Sequence, residues 1–166
     1  MKKELISVVL AGVVALGACG GGDADTSNDA GAGGGEETPT EIPGGDVTYF
    51  GTEFAFEGPE TIAAGETTMT LDNQGKQPHV LVLFELLEGK TIDDVTTYLE
   101  EEGLQGPPPK WVREVKIEAF AKPGKSKASK PADLTAGAYA MICFIPDKES
   151  KKPHALLGMV KEITVE

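Results

Sequence analysis

From about residue 46 onward, apolar positions fall into short runs separated by turn residues. Residues 47–56 (VTYFGTEFAF) and 67–71 (TTMTL) are rich in β-branched and aromatic side chains and predict strands, with 63–66 (AAGE) as the turn before the second. A turn-rich stretch, 72–78 (DNQGKQP), leads into 79–87 (HVLVLFELL). That near-continuous apolar run predicts a strand buried on both faces. Residues 111–120 alternate loosely and predict another strand, whereas 121–130 are polar and lysine-rich and predict a hairpin or exposed loop. Residues 138–145 (AYAMICFI) are wholly apolar, and 158–166 (GMVKEITVE) predict the closing strand.

One stretch has helical spacing instead. In 91–102 (TIDDVTTYLEEE), Ile92, Val95 and Leu99 share one face, Thr91 with Asp94 resembles a capping box, and Gly103 stops the run. Residues 106–109 (GPPP) make a rigid connection after it. About seven short strands and one inserted helix, without an internal repeat, predict an all-β sandwich.

The N-terminal part follows other rules. Lys2 and Lys3 precede an apolar run over 5–18 that is short for a membrane span and suits a signal peptide. The run ends in Leu16-Gly17-Ala18-Cys19, which resembles the lipobox of bacterial lipoproteins. The resemblance implies cleavage before Cys19, lipidation of Cys19, and a location in the cell envelope outside the cytoplasm. Residues 20–45 contain Ile42 as their only large apolar side chain and predict a flexible tether. Its span is on the order of 25–30 Å. The expected organisation is therefore a signal over 1–18, a lipidated cysteine with its tether over 19–45, and a folded domain over 46–166.

Composition narrows the function classes. Of 166 residues, 40% are hydrophobic, enough for one core. The formal charge of −12 argues against a nucleic-acid surface. Acidic residues dominate before residue 110 and basic residues after it. The acidic run 100–102 and the lysines of 122–130 read first as solvated surface, and second as opposite poles for docking a redox partner. No Ser-His-Asp set, phosphate loop or zinc-like cysteine pair stands out, so an enzyme is not expected.

The candidate chemistry sits in 139–160 (YAMICFIPDKESKKPHALLGMV). If Cys19 is an anchor, Cys143 is a lone thiol in an oxidising compartment. It reads as a metal thiolate, or else as a buried cysteine acting as a small apolar residue. The chain has two histidines, His79 and His154, and each follows a proline. With Met159 they complete a soft donor set of the kind that selects copper.

These residues carry a resemblance to the cupredoxins, plastocyanin above all. Gly137, Tyr139 and Cys143 match G-x-Y-x-x-x-C; Pro153 and His154 match its Pro-His pair; His154 and Met159 match H-x4-M. Asn73, Gly75, Pro78 and His79 resemble the N-x-G-x-P-H turn, with one extra residue. The resemblance covers about 46–166, with no counterpart for 85–130. It implies a Greek-key β-sandwich with an inserted helix and one mononuclear type-1 copper site. In that site His79, Cys143 and His154 form the trigonal plane, Met159 is the weak axial ligand, and an exposed His154 is the electron port.

Two departures stand out. Ten residues separate Cys143 from His154, including a charged insertion over 147–152, which is expected to loosen the loop. Val80 replaces a common asparagine and offers no side-chain donor near the sulfur. The functional expectation is a monomeric, membrane-tethered copper protein that carries single electrons to a redox protein. The alternative is a copper carrier, or a metal-free module of the same fold that binds another envelope protein.

Overall fold

A computed structural model describes residues 45–104 and 106–166. The signal, lipidation and tether readings, including Cys19, lie outside the described residues.

Among the described residues, ten strands form two five-stranded sheets. The first sheet contains β1 (Asp46–Thr52), β2 (Ala55–Glu57), β4 (Gly65–Asn73), β7 (Ser126–Ala128) and β8 (Ala132–Leu134). The second runs in the order β3 (Thr61–Ile62), β10 (Val160–Val165), β9 (Gly137–Ile142), β5 (His79–Leu86) and β6 (Val112–Ala121). β1 pairs parallel with β4, β10 pairs parallel with β3, and the remaining ladders are antiparallel.

The sandwich core lies between the sheets and includes Tyr49, Met69, Leu71, Leu81, Leu83, Ile117, Tyr139, Met141 and Ile163. A second cluster covers the outer face of the second sheet, where helix α1 (Ile92–Glu102) packs Val95 and Leu99 with Leu86, Ala140, Ile142 and Ala155. This explains why β9, and β5 apart from His79 and Glu85, are apolar on both faces. One face of each meets the sandwich core, and the other meets the helix layer. The helix begins as its sequence predicts: the Asp94 carboxylate accepts the Thr91 N–H at 3.0 Å, and Gly103 ends it at φ 66°. Its first turn is tied to β10 by Glu162, which accepts the Ile92 N–H at 2.7 Å.

Three elements differ from the sequence reading. The predicted single strand over 47–56 is a hairpin, with β2 folded back on β1 (Thr52 opposite Ala55) and Phe54 at φ 65°. The turn Glu53-Phe54 lacks glycine or asparagine, so local residue preferences gave no turn signal there. The region 121–130 is a turn followed by the exposed edge strand β7, and β8 was not foreseen. The closing strand starts at Val160, because His154–Leu157 form a 3-10 turn ahead of it.

Candidate metal centre

The candidate ligands meet at one end of the sandwich. β5 starts there at His79, β9 ends there just before Cys143, and the 3-10 turn carries His154 back toward β10. Cys143, His79, His154 and Met159 are all fully buried. Backbone bonds fix their spacing: Cys143 N–H donates to the Met159 carbonyl at 3.2 Å, Ala155 N–H to the Cys143 carbonyl at 2.9 Å, and Met159 N–H to the His154 carbonyl at 2.9 Å. Further down β9, the Tyr139 hydroxyl donates to the Thr135 carbonyl at 2.8 Å and anchors the strand that presents the thiol.

The ligand atoms form a triangle. His79 Nδ1 and His154 Nδ1 are 3.1 Å apart, and Cys143 Sγ lies 4.0 Å from the first and 3.5 Å from the second. The circle through a triangle with these sides has a radius of about 2.1 Å, and its centre falls inside the triangle. First-row metals bind imidazole nitrogen and thiolate sulfur at about 2.0–2.3 Å. The three atoms are therefore already placed for a trigonal centre. Met159 is a near neighbour of the His79 ring, since a side chain on Gly51 would place its Cβ 3.5 Å from both the Met159 methyl and the His79 Cδ2.

Burial sets the protonation states. It pushes the His79 imidazole down to about 4, aided by neighbouring His154 and opposed by Glu53. Burial also lowers His154, against the opposing charges of Asp147 and Glu53. The Cys143 thiol is raised by burial, with the Val80 and Ile145 N–H groups pulling the other way. Without metal the centre holds two neutral imidazoles and a thiol. The Nε2 atoms of both histidines are buried and have no hydrogen-bond partner among the described residues.

The supporting turn is specified residue by residue. Buried Asn73 donates to the Gln77 carbonyl at 2.8 Å and the Ala121 carbonyl at 2.9 Å, and its Oδ1 accepts the Gly75 N–H at 2.9 Å. Glu53 accepts the Lys76 and Gln77 N–H groups from the β1–β2 hairpin. Partial desolvation pushes its carboxyl up, but those two bonds, the His79 charge and its own backbone N–H together hold it below the usual range. Gly75 has no room for a side chain: a Cβ would meet His79 Nε2 at 2.8 Å and Glu53 Oε1 at 2.7 Å.

Three expectations about the site change. The insertion over 147–152 does not loosen the loop. A bridge between Pro146 and Pro153 pinches its base, and Asp147 N–H donates to the Lys152 carbonyl at 2.8 Å. The Asp147 carboxylate, buried at 6% exposure, accepts Gln77 Nε2 at 2.7 Å, Ser150 N–H at 2.7 Å and Glu149 N–H at 3.1 Å. The side chain missing at Val80 is replaced by its backbone, whose N–H donates to Cys143 Sγ at 3.4 Å. His154 is not exposed; the Phe54 ring lies against it edge-on, with centroids 4.9 Å apart. Phe54, Glu53, Gln77 and Asp147 are the site residues that sequence reasoning missed.

Comparison with solved structures places the fold. The auracyanin of the photosynthetic bacterium Roseiflexus castenholzii matches at 22% identity and a TM-score of 0.50, over 73% of this chain and 96% of its own. The chain has the cupredoxin fold. Auracyanin A, described as a "blue" copper protein from Chloroflexus aurantiacus, matches at 16% identity over 74% of this chain and 100% of its own, with a TM-score of 0.45. Auracyanin B matches at 22% identity over 80% and 96%, with a TM-score of 0.43. No protein-family model matches the chain, and no curated protein does. Within this fold, His79, Cys143, His154 and Met159 fit one type-1 copper site. A trigonal His2Cys plane with a weak axial methionine is the donor arrangement of such sites.

Proposed function

We propose that the protein binds one copper ion through His79 Nδ1, Cys143 Sγ, His154 Nδ1 and the Met159 thioether, and carries single electrons. The observation behind this reading is the triangle of ligand atoms, set to bond-length radius by the protein alone. Copper would supply the redox couple. The chain's part is to hold a compromise geometry, exclude water by burial, and donate the Val80 N–H to the thiolate. Because the backbone fixes the donors, a change of oxidation state would move them little. Four protein donors around one centre leave no open position for a substrate, so we read it as a carrier rather than a catalyst.

The location belongs to the same proposal. The signal-like run over 1–18, Cys19 and the Gly-rich stretch over 20–45 support a domain held at a membrane outside the cytoplasm by a lipid on Cys19. Among the described residues no helix is long and apolar enough to cross a membrane.

Titration with Cu(II) tests the assignment. One equivalent is expected to give the intense visible absorption of a copper–thiolate bond, and Cys143→Ser to abolish it. A protein that stays colourless while binding one Cu(I) would be a copper carrier. One that binds no copper would be a metal-free module.

A further inference from the structure

The metal end of the sandwich carries a charge opposite to that of the chain. Six exposed lysines come together there from three separate loops. Lys76 lies in the turn leading to His79. Lys122 and Lys125 lie in the turn after β6, which is bonded to the end of β4: Asn73 N–H donates to the Lys125 carbonyl at 3.0 Å, and Gly124 N–H to the Asn73 carbonyl at 2.8 Å. Lys148, Lys151 and Lys152 lie in the insertion, which Gln77 holds against the first turn by accepting the Lys148 N–H at 2.9 Å.

The acidic groups at this end keep their charge but are outnumbered: Glu53, Asp72, Asp147 and Glu149 stand against the six lysines. Glu53 caps the Lys76 and Gln77 N–H groups, and the buried Asp147 carboxylate takes three hydrogen bonds. Glu149 and the half-exposed Asp72, which precedes Asn73 at the end of β4, face solvent without such an engagement among the described residues. At the far ends of the strands the sign reverses, with Asp46, Glu66, Glu88, Asp133 and Glu166 all exposed. The whole chain carries −12. A positive end on so acidic a chain orients it in the field of a negatively charged partner, within reach of the Debye length.

We propose that this lysine-rimmed end is the docking surface for an acidic patch on a partner protein. The lysines ring the end where the ligand loops meet, and half-buried apolar side chains, Phe54, Pro78 and Pro153, lie among them. A less polar centre within a charged rim is the anatomy of a protein interface. The insertion supplies half of the lysines, and Gln77 and Asp147 set their position. That the partner exchanges electrons with the centre rests on the copper reading; that the end binds an acidic protein surface does not.

The test uses the unlipidated full chain, with and without copper, and poly-L-glutamate as the acidic probe. NMR titration is expected to shift amides at 76, 122–125 and 148–152, with affinity falling roughly ten-fold between low and physiological salt. The triple variant K148E/K151E/K152E should weaken binding by at least about ten-fold, and Lys76→Glu, on another loop, in the same direction. The equal charge change K110E/K116E/K130E, away from this end, should weaken it less than about two-fold. Equal losses in both triple variants, or shifts spread over the whole surface, would overturn the proposal. So would tighter, equally lysine-dependent binding to phosphatidylcholine–phosphatidylglycerol vesicles, which would make this a membrane-facing surface. A chain that binds no copper but keeps this lysine dependence loses only the electron-transfer role.

Discussion

Gln77 and Asp147 join the two histidine loops. The Gln77 amide donates to the Asp147 carboxylate at 2.7 Å and accepts the Lys148 N–H at 2.9 Å. A residue of the lengthened first turn thus bonds to the insertion that lengthens the second. Gln77→Ala is expected to keep the fold and lower copper affinity by about 10–100-fold, the usual effect of removing an outer-sphere support. Asp147→Ala should do the same at a larger cost in stability, because it also strips the Ser150 and Glu149 N–H groups of their acceptor. Competition with a chelator of known affinity measures the first effect, and thermal melts the second. Wild-type affinity in both variants would mean that the loops hold their shape unaided.

Phe54 covers His154 from a backbone conformation that disfavours it, at φ 65°. Phe54→Ala should open the imidazole edge to solvent and to small anions. Azide is then expected to perturb the copper absorption of the variant and leave the wild type unchanged. Phe54→Gly relieves the backbone while removing the same ring, and should give the same azide response with less loss of stability.

Gly75 leaves no space for a methyl group against His79. Gly75→Ala should push the imidazole out of the ligand triangle, with loss of most of the visible absorption and only a modest fall in Tm. Full colour in this variant would show that the turn shifts to make room.

Both histidines are held below their ordinary range, His79 at about 4. The unfolded chain therefore takes up protons before the folded, metal-free protein does. The stability of that form should be complete above about pH 6.5 and decline as the pH falls toward 4. Thermal melts of the metal-free protein check this, and His79→Gln should flatten the profile. The raised thiol gives a second expectation: copper binding near pH 7 should release about one proton, from Cys143, with little contribution from the imidazoles. Calorimetry in buffers of different ionisation enthalpy reads that proton directly.

The sequence by itself determined the repetitive parts and the chemistry. Strand periodicity, the Thr91–Asp94 helix start and the choice of His79, Cys143, His154 and Met159 are all written in local runs, because side-chain alternation and donor type need no knowledge of distant residues. The tertiary structure decided which atoms meet. Gln77 and Asp147 are 70 positions apart, and Val80 and Cys143 are 63 apart, so neither bond leaves a local pattern. The same is true of Phe54: only the β1–β2 hairpin carries its ring to His154 and turns an expected exposed port into a buried one. Spacing along the chain made the Cys143–His154 loop look loose. Hydrogen bonds to another loop hold it in place, because loop order depends on where the backbone and carboxylate partners lie in space, and not on how many residues intervene.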